Sequence, residues 1–524
     1  MGFQWLSLVG AIWLQSINGT NSNFPAYSSQ LKRLLSISQL ELNNLAFASD
    51  AGKILGWFAG IAAGYLPLWL VLMIGAILGL IGYGVQYLFL TNQISSLSYV
   101  HVFLLTVLAG NSICWFNTVC YLVTIKNFPL DRQFAVGLST SYVGLSAEIY
   151  TDIVNVFFSY SQTEKAEGYL LLNSILPLIV CIMAAPVVRN INVGKSKKLS
   201  SGFIVMFAIT TVTGAYAMIS SLGSVMSSVM SPLIVLIGMG VFLVTPLVVP
   251  LGDKLRETLQ QKCWLRVERR VHNHNLKVVE GVEGSMSVEE GVNEEDTTGI
   301  TELVAVKEEI GAKTMVKRVD FWLYFFVYFF GATLGLVYLN NLGQIAESRG
   351  CSQISSLLSL SSSFGFFGRL VPSLLDCYFS RRKIKVSGAA SMAVMMAPMA
   401  GAFFVLLNKT DVCLYISTAI IGVCTGAITS ISVSTTTELF GTENFSVNHN
   451  VLVTNIPIGS FLFGDLAALL YKKEGDDDHH GNGRCMGMKC YQKTFVIWGS
   501  LCLLGILPAL ILHARTRKLY SQRS

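Results

Sequence analysis

Two carboxylates lie four residues apart within an apolar stretch of this 524-residue chain. Glu148 and Asp152, followed by Asn155, recur at steps of four and three, which places them on one face of a helix. Carboxylates one turn apart repel if both are charged, so we expect one of them to hold a proton that it could carry. An ionisable group in an apolar span is costly unless it faces water or a partner, so this face is predicted to look inward. A structural pair, or one exposed at the mouth of a cavity, is the alternative.

A second ionisable pair, Asp50 and Lys53, lies one turn apart near the middle of another apolar stretch. The two charges can neutralise each other, which is a structural role. Alternatively, Lys53 is a fixed positive charge that attracts an anionic substrate once Asp50 is protonated. The second interpretation would allow a proton and an anion to be transported together.

Neutral amides form stripes on two further apolar stretches, and one of these stripes ends where Pro25 can bend a helix. Such stripes suit the wall of a central cavity, although amides that bond across packed helices are the alternative. His449, beside one stripe, is expected to be an ordinary donor between helices. The candidate cavity residues of this neutral kind are Gln15, Asn18, Asn117, Asn448 and Asn455.

Metal and enzyme chemistry find no support in the sequence. The run of acidic and histidine side chains over residues 476–480 lacks the ligand spacing of a tetrahedral metal site. Cys485 and Cys490 could form a disulfide if their loop lies outside the cytosol. Phosphate loops, nucleophile triads and dinucleotide fingerprints are missing from the sequence. We therefore predict no catalytic residues, no metal and no cofactor.

Helices in a lipid bilayer must position these side chains. Hydrophobic residues make up 52% of the chain and charged residues 13%, against roughly a quarter charged in soluble domains. The apolar residues form blocks of about 20, the length that a helix needs to cross the hydrocarbon core. Because only helices can satisfy their backbone hydrogen bonds while crossing repeatedly in one chain, the sequence predicts an all-α polytopic membrane protein.

Fourteen apolar stretches, numbered here as spans 1 to 14, meet this description. Spans 1 to 8 are predicted over residues 4–25, 42–65, 67–90, 99–123, 133–158, 168–189, 202–221 and 229–251. Spans 9 to 14 are predicted over residues 320–341, 355–379, 386–407, 411–436, 446–471 and 495–514.

The spans group as six, two and six around a long charged segment that turns from basic to acidic. That segment cannot bury a core, so we expect a mostly disordered cytoplasmic linker. Transporters are commonly built from two repeated bundles. The predicted units are an N-terminal bundle over 1–190, two extra spans over 191–251, the linker over 252–318, a C-terminal bundle over 319–514 and a basic tail over 515–524.

Loop charge predicts the orientation. With an even number of spans both termini share a side, and the basic loops after spans 6, 8 and 10 fall on that side together with the basic tail. The positive-inside rule makes this side cytoplasmic, which leaves a glycosylation sequon at Asn408 on the other side. The net charge of +6 is spread over these loops, so nucleic acid is not an expected partner. The particular membrane is left open.

A loop signature follows span 10. Gly365, Gly368 and Pro372 precede an acidic residue and a basic cluster, and this order resembles the loop after the second helix of each half in major facilitator transporters. The corresponding turn of the first half has lost its acidic residue and its basic cluster. An ion pair at the ends of neighbouring helices could latch one conformation, whereas simple charge anchoring is the alternative. The predicted gating residues are Arg369, Asp376, Arg381 and Arg382.

Several longer runs resemble the plant nodulin-like major facilitator family. They include the opening run 5–27, the run 115–129, the run 136–146 and the turn 438–448. The resemblance extends to proteins of the nuclear-fusion-defective type, and more remotely to oxalate/formate exchangers and monocarboxylate carriers. It implies a major facilitator fold and transport. Family members usually carry a Lys-Gly pair in span 5, where this chain has Thr140 and Ser141, so the resemblance does not define a substrate.

Together these features predict a secondary active transporter of a small solute, working by alternating access. An organic anion and proton coupling are refinements that the residues suggest. Its expected partners are the solute, protons and the lipid bilayer. An uncoupled facilitator, or a membrane scaffold or transceptor that has kept the fold, is the alternative.

Overall fold

The computed structural model describes residues 2–158, 161–191, 200–221, 231–260, 262, 309–351, 354–381, 386–477 and 485–521. All regular secondary structure in these ranges is helical. The predicted all-α fold is therefore confirmed.

Ten helices are long and apolar enough to cross a membrane. They are Leu68–Leu90, Tyr99–Asn127, Gln162–Ala184, Gly202–Ser220, Pro232–Gln260, Val319–Ser348, Gly388–Val405, Asp411–Phe440, Phe445–Gly475 and Lys489–Thr516. These helices overlap ten of the fourteen predicted spans.

Helices also occupy the other four predicted spans, but each is short, interrupted or less apolar. Span 10 is the continuous helix Ile354–Arg381, in which serines dilute the hydrophobic residues. Spans 1, 2 and 5 are interrupted by short turns of 3₁₀ helix. The count of fourteen membrane-crossing helices therefore stays a prediction.

Span 1 is longer than predicted. Its first helix, Gly2–Ile17, gives way to a 3₁₀ turn over Thr20–Asn23, and a second helix runs over Phe24–Leu35. Pro25 lies in the first turn of that second helix, where its missing N–H costs nothing. The proline therefore begins a helix instead of bending the end of one.

Spans 2 and 5 break near their middle. Span 2 consists of Gln39–Ala51 and Gly56–Tyr65 around the 3₁₀ turn Gly52–Leu55, and Ser38 and Glu41 cap its start. Span 5 consists of Arg132–Ser141 and Ser146–Phe157 around the 3₁₀ turn Tyr142–Leu145. Irregular backbone at this depth is tolerated where protein or a cavity covers it, so these breaks point to a site inside the bundle.

Each half of the molecule has its own apolar core. One cluster of buried side chains draws only on spans 1 to 6, and a second draws only on the chain from Ile310 onward. A third, smaller cluster joins the first half to spans 7 and 8 and to span 10. In it, the rings of Trp5 and Phe203 lie 4.8 Å apart, and those of Tyr142 and Phe366 lie 5.9 Å apart. The two extra spans therefore pack against both halves.

Contacts between helix ends place the start of the helix Gly2–Ile17 and the end of the helix Lys489–Thr516 on one face of the bundle. These contacts join Arg515 to Asp320, Arg189 to the ring of Phe3, and Arg132 to Thr437. We call this the terminal face, and the other side the opposite face.

Both ends of the predicted linker contain helical structure. The helix of span 8 continues to Gln260. At the other end, the Glu309 carboxylate accepts hydrogen bonds from the backbone N–H groups of Thr442 (3.1 Å) and Glu443 (3.0 Å). A short helix, Ala312–Met315, then leads into span 9. Residues 263–308 lie outside the described residues, so their predicted disorder stays a prediction.

Candidate functional site

A polar cavity of about 190 Å³ lies between the two halves. Its polar walls in the first half include Asn18, Asn21, Ser22, Lys53, Asn117, Thr118, Tyr121 and Thr140. The second half contributes Tyr328, Arg369, Thr429, Ser446, His449 and Asn450. Both halves therefore present hydrogen-bonding groups to one shared cavity.

The helix breaks position the first-half residues. Asn18 follows the end of the first helix, and its amide nitrogen donates to Asn117 Oδ1 over 2.9 Å. Lys53 lies within the 3₁₀ turn of span 2, and Thr140 lies just before the turn of span 5. The structure thus brings three predicted cavity residues, Asn18, Lys53 and Asn117, to one site.

Lys53 shares its charge with Asp50. Its ammonium lies 2.6 Å from Asp50 Oδ1, and the side chains are only 12% and 6% exposed. The second carboxylate oxygen of Asp50 accepts hydrogen bonds from Ser460 (2.7 Å) and from Asn340 (3.1 Å). Because both donors belong to the second half, Asp50 neutralises a cavity lysine and also joins the two halves.

Arg369 lines the cavity from the second half. It lies in the middle of span 10, so the structure corrects its predicted position in a loop at the end of that helix. Its guanidinium donates to the carbonyl of Gly365 in its own helix over 3.2 Å. Among the described residues no carboxylate forms an ion pair with it, and Asp50 is already engaged by Lys53. The cavity therefore holds one positive charge that no described carboxylate balances.

Aromatic and hydroxyl groups surround this charge. Tyr121 and Tyr328 lie close enough to Arg369 for electrostatic interaction. His449 stacks on Phe445, with ring centroids 5.2 Å apart, and meets the edge of Tyr121 at 5.5 Å. The wall near Arg369 can thus offer hydrogen-bond donors and ring faces to a bound molecule.

Three predicted amides do not line the cavity. Asn448 donates to the carbonyl of Ile310 over 2.8 Å and so holds the end of the linker. Asn455 accepts a hydrogen bond from Thr333 over 2.9 Å. Gln15 is fully buried, and neither polar atom of its side chain has a hydrogen-bond partner among the described residues.

Glu148 and Asp152 face neighbouring helices inside the bundle and do not line this cavity. Both interact electrostatically with Tyr169 of span 6, and Asp152 also with Tyr216 of span 7. Thr140 and Val143 of span 5 line the cavity. Glu148 and Asp152 lie eight and twelve residues beyond Thr140, so helical spacing alone places them about 80° and about 120° around the helix axis from the cavity side.

The remaining gating candidates lie toward the terminal face. Asp376 is one to two turns beyond Arg369 in the same helix, and Arg381 is the last residue of that helix. The side chain of Arg381 and the whole of Arg382 lie outside the described residues. Their predicted role as an ionic latch stays a prediction.

The loop with the acidic and histidine run is described only in part. The side chains of residues 476 and 477 and all of residues 478–484 lie outside the described residues. Beyond them, Cys485 and Cys490 form a disulfide. Within the described parts of the chain, no group of three or more His, Cys, Asp or Glu side chains is arranged to hold a metal ion.

Direct contacts between the halves flank the cavity on both sides. Toward the terminal face, Ser446 donates to the carbonyl of Gly60 (3.0 Å) and Asn450 donates to Thr118 (2.8 Å). We call these contacts, with the neighbouring bond from Ser373 to the carbonyl of Gln133, the terminal seam. Toward the opposite face lies the Asp50 cluster, which consists of Asp50, Lys53, Asn340 and Ser460.

Solved structures with the same architecture are major facilitator transporters. A proton:xylose symporter, XylE, bound to 6-bromo-6-deoxy-D-glucose is 12% identical, with 96% of this chain and 94% of that chain covered and a TM-score of 0.54. A proton-dependent oligopeptide transporter is 12% identical, with 99% and 100% covered and a TM-score of 0.54. The fucose:proton symporter FucP of E. coli is 10% identical, with 97% and 98% covered and a TM-score of 0.52. At these identities the likeness defines the fold, which is that of the major facilitator superfamily.

Sequence comparisons define the family within that fold. The family described as "Nodulin-like" matches residues 4–251, and the family described as "NFD4, C-terminal domain" matches residues 303–522. The protein NUCLEAR FUSION DEFECTIVE 4 of Arabidopsis thaliana is 38% identical over 99% of this chain and 89% of its own length. The chain belongs to the nodulin-like family of this nuclear-fusion-defective type, as its sequence motifs predicted. Its ten helices that are long and apolar enough to cross a membrane make it a multi-pass integral membrane protein with this fold.

Proposed function

We propose that the protein is a secondary transporter of a small organic anion and that the cavity between the halves is its substrate site. The observation that carries this proposal is Arg369, a cation in the middle of the membrane with no ion-pair partner among the described carboxylates. A charge at that depth is costly unless a partner or a wet cavity compensates it. A bound anion would supply the missing partner.

Arg369 is better placed than Lys53 to anchor this anion. Lys53 is already compensated by Asp50, whereas the guanidinium of Arg369 faces the cavity with phenols beside it. A planar guanidinium can bind both oxygens of a carboxylate at once, which favours carboxylates over spherical anions. The volume of about 190 Å³ is below the usual range of drug-sized pockets, so the proposed solute is small.

The two halves would expose the cavity alternately to each side of the membrane. We take the terminal face as cytoplasmic. The loop that carries the Cys485–Cys490 disulfide and the exposed sequon residue Asn408 both lie on the opposite face. Disulfides persist outside the cytosol, so this arrangement supports the orientation that the basic loops predict.

We also propose proton coupling, with Asp50 as the residue that carries the proton. Two of the structurally similar transporters are proton symporters by name. Glu148 and Asp152 lie apart from the cavity, so a proton on either would act at a distance from the solute. Among the described carboxylates, Asp50 forms an ion pair with Lys53, a cation that lines the cavity. Protonation of Asp50 would break this ion pair and leave Lys53 free to bind the substrate. An uncoupled facilitator differs from this scheme because a pH gradient would not drive uptake of the solute.

Uptake into proteoliposomes tests the proposal. Purified protein would be given labelled mono- and dicarboxylates, sugars and amino acids, with and without a pH gradient. We expect accumulation of at least one carboxylate, and a loss of about tenfold or more in Arg369→Gln because a charged hydrogen-bond pair is removed. Arg515→Gln is the matched control, since Arg515 is an arginine at the terminal face that pairs with Asp320.

Two results would contradict the proposal. If sugars or amino acids accumulate and carboxylates do not, the substrate class is wrong. If every solute equilibrates no faster than in empty vesicles, while Arg369→Gln leaves the folded protein unchanged, the scaffold alternative is favoured.

A further inference from the structure

The Asp50 cluster is the charged contact between the halves on the opposite side of the cavity. Span 2 begins at the opposite face, so Asp50 lies about one turn closer to that face than Lys53. Phe47, a further turn along, meets Phe461 of span 13 with ring centroids 5.8 Å apart. The carboxylate therefore lies where the opposite side must separate for the cavity to open there.

The geometry links this contact to the cavity. One oxygen of Asp50 binds the cavity lysine Lys53, and the other accepts hydrogen bonds from Ser460 and Asn340 of the second half. Asp50 is 4% exposed, so water does not replace these partners. In such surroundings the carboxylate can keep its charge only while its cation and its donors stay in place.

We propose that Asp50 is a latch that holds the opposite side closed, and that an anion bound at Lys53 releases it. This inference rests on the proposed function. An anion in the cavity competes with Asp50 for the Lys53 ammonium. A buried carboxylate that loses its cation is costly in the closed arrangement, and the bonds from Ser460 and Asn340 alone do not offset that cost. Opening the opposite side would expose Asp50 to water, so opening becomes more favourable. Substrate binding and opening would thus be coupled through one carboxylate.

The latch differs from a purely structural ion pair in a testable way. A structural pair would stabilise span 2 and leave the separation of the halves unaffected. A latch controls that separation, so the distance across the opposite face is the informative readout. Transport alone would not discriminate, because many defects reduce it.

Pulsed electron paramagnetic resonance can measure this distance. Spin labels at Gln93 and Lys409 would report on the two halves, because both residues are exposed on the opposite face. The protein would be kept whole in proteoliposomes, with its other free cysteines replaced and the Cys485–Cys490 disulfide retained.

Two variants test the latch without any substrate. The double variant Ser460→Ala with Asn340→Ala removes the bonds to the second half and leaves the Asp50–Lys53 pair. Lys53→Met removes the cation and stands in for a lysine that an anion has captured. We expect the open population to rise about tenfold in each, since each change removes hydrogen bonds or a charge partner from a buried carboxylate.

Ser373→Ala is the matched control, because its hydroxyl makes a comparable bond between the halves in the terminal seam and does not line the cavity. It should leave the Gln93–Lys409 distance unchanged. Distance distributions identical to that of the unmodified protein in both the double variant and Lys53→Met would overturn the latch.

Carboxylate uptake, measured in the same liposomes, reports on the proposed function separately. No uptake together with a widened distance in the variants would refute the anion substrate and keep Asp50 as the closing contact. Arg369-dependent uptake together with an unchanged distance in the variants would keep the substrate and refute the latch.

Discussion

The two contacts that close the cavity are built on different physical principles. In the terminal seam, glycines let the backbones of the two halves approach closely, and neutral side chains donate to carbonyl and hydroxyl oxygens. In the Asp50 cluster, two neutral side chains of the second half donate to one charged group of the first half. A steric fit responds little to a bound ion, whereas a charged contact responds directly. We therefore expect a bound substrate to control opening at the Asp50 cluster and not at the terminal seam.

The closeness of the terminal seam is clearest at Gly60. A Cβ atom at this position would lie 2.6 Å from the carbonyl oxygen of Ser446 in the other half. At Gly137 a Cβ atom would meet Ser373 and would lie 3.0 Å from the carbonyl oxygen of Arg369. Backbone atoms cannot move aside as a flexible side chain can, so these glycines are required for closure.

The largest effect is expected from a wedge in the terminal seam. Gly60→Trp would force the halves apart at the terminal face and abolish transport, because the closed arrangement could no longer form. Labelling of the cavity thiol Cys114 by an impermeant maleimide from the terminal side should rise in parallel. Gly64→Trp is the control, since a Cβ atom there meets nothing within 4 Å. Equal transport by the two variants would show that the seam does not need its glycine.

A somewhat smaller effect is expected from breaking the charged contact. Asp50→Ala leaves Lys53 buried without its partner, which should lower the free energy of unfolding by about 3–5 kcal/mol. The double variant Asp50→Ala with Lys53→Met should recover most of this loss, because no uncompensated charge remains. Thermal unfolding in detergent measures all three proteins. Additive losses in the double variant would mean that the two residues do not interact as the structure indicates.

A neutral hydrogen bond in the terminal seam should contribute less to the free energy of unfolding than the Asp50–Lys53 pair does. Asn450 donates to Thr118 over 2.8 Å, and Asn450→Leu should cost about 1 kcal/mol of unfolding free energy. Thr118→Val removes the same bond from the other side, and the two changes together should cost less than their sum. Thermal unfolding of the two single variants and the double variant gives the coupling energy between Asn450 and Thr118. A coupling energy near zero would show that the bond adds no stability.

Sequence reasoning placed the spans well because hydropathy over about 20 residues is a strong signal. It also found Asn18, Lys53 and Asn117, since polar residues inside apolar spans are conspicuous. Glu148 was also a cavity candidate, but it lies on a different side of span 5 from Thr140, which lines the cavity. An ionisable residue in an apolar span indicates an inward-facing side of the helix, but it does not indicate which part of the interior that side meets.

Four other cavity residues show what the sequence could and could not reveal. Arg369 was assigned to a loop by a signature, although an arginine in the middle of a predicted span is itself a sign of a site. Tyr121 follows Asn117 by four residues, so helical spacing alone would have placed it on the cavity face. Tyr328 and Asn450 depend on how the two halves dock, and a single sequence does not encode that geometry in any local pattern.

The smallest effect is expected at a second ion pair of the same length. Arg515 and Asp320 lie 2.6 Å apart, as Lys53 and Asp50 do, but the Arg515 side chain is 50% exposed. Water and salt screen such a pair, and holding two long side chains in place costs entropy. Asp320→Asn should therefore leave thermal unfolding and carboxylate uptake unchanged within error, at low and at high salt. A loss comparable to that of Asp50→Ala would contradict this view, because the distance between the charges would then matter more than their burial.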